Sequence, residues 1–125
     1  MNRRTLFLAA LALSPGAFAD QAVDVSMINL IANPTAFDGK KVRLIGFVRL
    51  EFEGDSIYLH RDDARQRNFK NGLWLDVEMP QKRRTSINNR YALVEGVFSM
   101  EERGHMGMWS GAIKSVSRLE PWRPD

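Results

Sequence analysis

The chain has 125 residues, with 18 Lys and Arg against 15 Asp and Glu, two histidines and no cysteine. That length suits one packed domain and is too short for two. The lack of cysteine excludes a disulfide framework, and the small positive excess is far from that of a dedicated nucleic-acid binder, which must neutralise many phosphates.

The chain opens MNRRTLFLAALALSPGAFAD. Arg3 and Arg4 form a positive start, residues 6–13 an apolar run, and Ala17-Phe18-Ala19 the small-x-small pattern of a signal-peptidase site. This predicts a secretory signal peptide over residues 1–19, cleavage after Ala19, and a single periplasmic or secreted domain over residues 20–125. The run is far shorter than the roughly 20 residues that span a bilayer, so no membrane anchor is expected after cleavage. Arg3-Arg4 also resembles a twin-arginine export motif, which leaves the export route open. With both arginines in the leader and no acid there, the remainder carries a net charge of +1.

Residues 24–33 (DVSMINLIAN) carry Val25, Ile28 and Ile31 at helical spacing, with Asp24 or Ser26 placed to cap and Pro34 to stop the helix. Asp38-Gly39 marks a turn. The first predicted strand follows: Val42, Leu44, Val48, Leu50 and Phe52 share one face at period two, with Gly46 at its centre where the strand can bend. The second strand buries Ile57 and Leu59 and turns Tyr58 and His60 outward. The third, after Asn71-Gly72, buries Leu73, Leu75 and Val77 and turns Trp74 and Asp76 outward. The fourth repeats the first, with Ala92, Val94, Gly96 and Phe98 inward. A fifth strand is read over residues 108–119, although Ile113, Val116 and Leu119 fall at spacing three.

Five strands and one short N-terminal helix predict a mainly β fold, a five-stranded closed or nearly closed antiparallel barrel. The glycines centred in VRLIGFV and ALVEGVF resemble the oligonucleotide/oligosaccharide-binding (OB) barrel in its anticodon-binding-like branch. With LIANPTAFDGKKVRLIGF, GDSIYLHRDD and RGHMGMWSGAI, the chain also resembles a set of small exported bacterial proteins without assigned function, a likeness that brings no activity with it. OB barrels plug one end with an apolar helix between strands three and four. Here EMPQKRRTSINNR offers only Met79 and Ile87, so the helix at 24–33 is expected to take that role.

Candidate sites follow from residue types. His60 and His105, with Asp62, Asp63 and Asp76, are the available metal ligands, but no metal-binding spacing joins them, and no metal or other cofactor is expected. No serine sits in a Gly-x-Ser-x-Gly elbow, and the paired acids Glu51/Glu53 and Glu101-Glu102 lie at strand ends where acids are solvated. No catalytic residue is therefore assigned. Tyr58 and Trp74 are outward aromatics on the strands that bind extended ligands in OB barrels. Gly104 and Gly107 bracket a tight connection with His105 and Met106 at its tip and Trp109 beside it. The expected ligand surface is Tyr58, His60, Trp74, His105, Met106 and Trp109. The expected function is an exported, non-catalytic module that binds a protein, peptide or glycan of the cell envelope. Two alternatives stay open. A single-stranded nucleic-acid binder would use Arg61, Arg65, Arg67, Lys82, Arg83 and Arg84, which belong to a stretch, residues 61–90, with eight Lys and Arg against four acids. A small metal-dependent hydrolase would use His60, His105 and Asp62 or Asp63.

Overall fold

Residues 21–123 are described in a computed structural model of the protein. The expected signal peptide falls on residues 1–19, outside the described residues. In chain order the elements are β1 (Val23–Asp24), α1 (Met27–Ala32), β2 (Lys41–Arg49), β3 (Ser56–Tyr58), α2 (Arg61–Arg65), β4 (Gly72–Leu75), α3 (Gln81–Ile87), β5 (Arg90–Ser99) and β6 (Ala112–Pro121), with short 3-10 turns between some of them.

Alternation along β2 and β5 builds the barrel. Val42, Leu44 and Val48 of β2, and Ala92, Val94 and Phe98 of β5, point inward and are buried. The two strands pair antiparallel from Lys41↔Val97 to Val48↔Arg90. β2 also pairs with β3, β3 with β4, β4 with β6 and β6 with β5, so the ring closes. This strand order is compatible with an OB-like barrel. The expectation of an antiparallel sheet is corrected to a mixed one. β4 and β6 run parallel, with Trp74↔Ala112 and Leu75↔Ile113 in register. A closed ring of five strands cannot alternate direction at every seam, because an odd number leaves one pair pointing the same way. β1 adds a second parallel pairing on the outer part of β2.

The expected single helix is corrected to three. The segment predicted as helical over residues 24–33 is helical only over Met27–Ala32, where Ser26 Oγ accepts from the Asn29 amide at 3.0 Å. Asp24 is drawn into β1 instead. The buried positions are Met27 and Leu30, while Ile28 is 63% exposed, so the apolar face is rotated from the Val25, Ile28, Ile31 row read from spacing. Pro80 precedes α3, which drives Ile87 into the same core that Met27 and Leu30 reach from α1. Both helices thus contribute side chains to the one barrel core.

Gly46 and Gly96 are sites of close backbone approach. A Cβ on Gly46 would stand 2.7 Å from Ile57 Cγ1 and from the Tyr58 carbonyl oxygen. A Cβ on Gly96 would stand 2.6 Å from Ile113 Cγ2 and 2.7 Å from the Lys114 carbonyl oxygen. Gly96 also faces a bulge: Glu95 pairs with Arg118 but Val97 with Lys114, so Ser115, Val116 and Ser117 all oppose the one glycine. Ser115 takes a positive φ of 48° there. The irregular spacing of Ile113, Val116 and Leu119 now has a cause. Period two along β5 (Phe98, Gly96, Val94) is matched by period three along β6, because the bulge absorbs the extra residues.

Outside the barrel wall a second cluster forms from Phe47, Tyr58 and Ala64, with Phe69 and Tyr91 packed on it. It lies where α2 crosses the outer surface of β2 and β3. Among the described residues no helix is long and apolar enough to cross a membrane.

Candidate functional site

The loop of residues 50–55 leaves β2 through a turn in which the Gly54 amide donates to the Glu51 carbonyl at 3.0 Å. That turn ends the strand early. Phe52, expected on the core face, is 89% exposed at the loop tip, which corrects the strand's predicted reach. The loop of residues 100–111 begins its turn at Gly104 (φ 74°), and Met106 (φ 60°) is 79% exposed at its tip. His105 Nδ1 lies 3.8 Å from the Glu53 carboxylate. The contact joins two loops far apart in sequence and brings Phe52 and Met106 to one rim.

Beneath the second loop, the Gly104 backbone lies on two indoles. A Cβ there would fall 2.6 Å from Trp74 Cδ2 and 2.9 Å from Trp109 Cε3, so no side chain fits. Trp109 is 1% exposed and meets Trp74 and Phe69 edge to face, with ring centroids 5.1 Å and 4.8 Å away. Its Nε1 is a buried donor without a partner, the one such side-chain atom among the described residues. A buried unpaired donor of this kind costs about 1–3 kcal/mol.

The six nominated residues divide sharply. His105 and Met106 stand exposed on the rim, and Trp74 is half-buried below it. Tyr58 points out of the barrel as expected but is only 2% exposed: Ala64 of α2 and Phe69 cover it, and its ring has become part of the second core. Trp109 is likewise interior. His60 is exposed and forms the N-cap of α2, where its backbone amide donates to the Asp63 carboxylate at 3.1 Å. The other oxygen of Asp63 accepts from the Asn68 and Asn71 amides. Among the described residues, no three His, Asp or Glu side chains converge as metal ligands would. Phe52 is the rim residue that sequence reasoning missed. The Glu53-Gly54-Asp55 turn signal directly after it marked the strand's end.

Elsewhere the outer wall carries a row of alternating charge. Asp24 of β1 lies 3.0 Å from Arg43 Nη1, and Glu95 of β5 lies 2.9 Å from both Arg43 Nε and Arg118 Nη1. Arg118 Nε also reaches Glu120 at 2.8 Å. Donation first from Arg43 and then from Arg118 holds the Glu95 carboxyl below the usual carboxylate range. A bidentate pair, Arg84 with Asp55 at 3.0 and 2.8 Å, ties α3 to the end of the first loop.

No protein-family model matches this chain, and no curated protein proves similar to it.

Proposed function

We propose that this chain is an exported, non-catalytic binding module on an OB-like barrel, taking a protein or peptide segment with apolar side chains on the rim of loops 50–55 and 100–111. The observation that carries the reading is the exposure of Phe52 and Met106, each next in the chain to a residue of the Glu53–His105 contact. Both are large apolar side chains left almost wholly in water, on loops that approach each other at Glu53 and His105. Large apolar side chains exposed on neighbouring loops suit an interaction surface. Methionine and flexible loops suit partners of varied shape. Export rests on the leader sequence alone.

Nucleic-acid binding through the same face draws less support. Stacking needs open ring faces, and two of the three nominated aromatics are interior. The hydrolase reading has its histidines on separate duties, one in a helix cap and one on a loop tip.

A photo-crosslinking amino acid placed at Met106 tests the proposal in cells. One discrete adduct is expected, lost on Phe52→Ser while thermal stability stays unchanged. Equal capture from a probe at Lys82 on α3, or an adduct indifferent to Phe52→Ser, sinks the rim as the binding surface.

A further inference from the structure

A different surface lies where β2 ends, β5 begins and α2 crosses them. Two adjoining depressions, about 450 Å³ and 210 Å³, share Arg61, Arg65 and Tyr91. Arg49, Asn89, Arg90 and Phe47 complete the larger one, and His60 and Asp62 the smaller. Four guanidinium groups therefore line one groove, with Asp62 as its single carboxylate. None of the four forms an ion pair among the described residues, although Arg43, Arg67, Arg84 and Arg118 all do.

The fold concentrates this charge at a cost. Arg61 and Arg65 stand four residues apart on α2, a spacing that puts like charges side by side and disfavours the helix. Arg90 enters from β5 opposite Val48, next to Arg49. Four unpaired guanidinium groups converging on one groove point to an anionic ligand that relieves their repulsion.

The groups are also oriented. Arg49 Nε donates to Asn89 Oδ1 at 2.8 Å, which pins the guanidinium and leaves its terminal nitrogens to act as a fork. Asn89 holds that position with a positive φ of 60°, its amide donating to the Val48 carbonyl at 2.9 Å. The Tyr91 hydroxyl accepts from the Arg61 amide at 3.2 Å and keeps its own proton for an acceptor in the groove. The Phe47–Tyr91 edge-to-face pair, 5.3 Å between centroids, makes the floor rigid and partly apolar.

We infer that this groove binds the phosphate group of a phosphorylated ligand, with Arg49, Arg61, Arg65, Arg90 and Tyr91 as its donors. Several planar forks around a compact volume match a tetrahedral dianion better than a carboxylate, which a single fork satisfies. The volume leaves room for the organic group that carries the phosphate. The site is distinct from the rim and stands whether or not the rim binds a partner.

Calorimetric titration of the full chain with inorganic phosphate and with pyrophosphate, at low ionic strength, tests this. Saturable binding that weakens with added NaCl is expected. Arg65→Gln and Arg90→Gln should each weaken it roughly tenfold, while Arg103→Gln, outside the groove, changes nothing. Should either glutamine variant fail to fold by circular dichroism, Arg65→Lys and Arg90→Lys keep the charge, lose the fork, and must still weaken binding. Co-sedimentation with phosphatidylglycerol against phosphatidylcholine vesicles separates the sources. Binding to the former, lost in the same variants, assigns a lipid headgroup; binding of the soluble anions assigns a free ligand. The inference is overturned if neither saturates, if acetate competes as well as phosphate, or if Arg103→Gln costs as much as the groove variants.

Discussion

Arg43 and Arg49 project from the same outer face of β2, yet their surroundings are opposite. Arg43 lies within hydrogen-bond distance of Asp24 and Glu95, and Glu95 is shared with Arg118. Arg49 meets only the neutral amide of Asn89, and its neighbours Arg61, Arg65 and Arg90 are also without carboxylate partners. Residue type does not distinguish the two regions; register does. Position 43 falls opposite Glu95 on β5, whereas Arg49 lies beyond the last residue of β2 that pairs with β5, against the turn that precedes β5. In the first region arginine completes a charge ladder that holds four strands together. In the second it is held ready and unmatched.

The most severe way to break the comparison is through the register itself. Arg118 reaches Glu95 because the bulge opposite Gly96 shifts β6 past β5. Any side chain at Gly96 meets Ile113 and the Lys114 carbonyl too closely, and both belong to the bulged strand. Gly96→Ala should destabilise the protein by about 2–3 kcal/mol, the cost of overpacking a closed interior. It should also uncouple the ladder, so that a further Glu95→Gln change adds less than it does alone. Urea denaturation of the single and double variants measures both, and full additivity would show that the bulge does not set the pairing.

The ladder can next be broken by chemistry at fixed register. Glu95 has a side chain only 11% exposed between two arginines, and its carboxyl titrates below the ordinary range. A carboxyl whose folded pKa is depressed contributes stability in full above its unfolded value, about 4.3, and loses it as pH falls through the folded value. Glu95→Gln should therefore lower stability by about 1–3 kcal/mol at neutral pH and flatten the decline of stability below about pH 4. An acid limb as steep in the variant as in the wild type would place the titration elsewhere.

Much of the barrel was legible in the sequence because period-two alternation is a strong local signal. The two glycine-centred strands, their inward residues and the strand at 56–58 follow from it. What was not legible is what depends on partners distant in the chain. The parallel β4–β6 seam follows from closing an odd ring, which no single segment displays. The rotated face of α1 follows from which side of the helix the barrel core covers, where Met27 and Leu30 pack. Tyr58 alternates outward as read, but Ala64 and Phe69 arrive over it from a stretch whose periodicity is too short to announce a helix. Of the candidate site, His105 and Met106 were readable from turn chemistry, while Phe52 was absorbed into a strand that in fact stops at Arg49. Arg61 and Arg65 stood out as charge. Their convergence with Arg49 and Arg90 required the fold.

The smallest expected effect sharpens the comparison most. If the groove arginines are unmatched, removing one costs the fold nothing, because no native pair is broken and some repulsion is relieved. Arg65→Gln should change unfolding free energy at low ionic strength by less than about 0.5 kcal/mol, the range of surface substitutions that touch no special feature, and any shift should be toward greater stability. Added salt should then stabilise the wild type more than the variant, since screening weakens a repulsion that only the wild type has in full. The ladder predicts the reverse sign, because salt screens its attractions. Paired melting curves of wild type, Arg65→Gln and Glu95→Gln across a salt series read both signs in one experiment. A loss of stability in Arg65→Gln matching that of Glu95→Gln would mean that this arginine has a native carboxylate partner, and the contrast between the two faces would be gone.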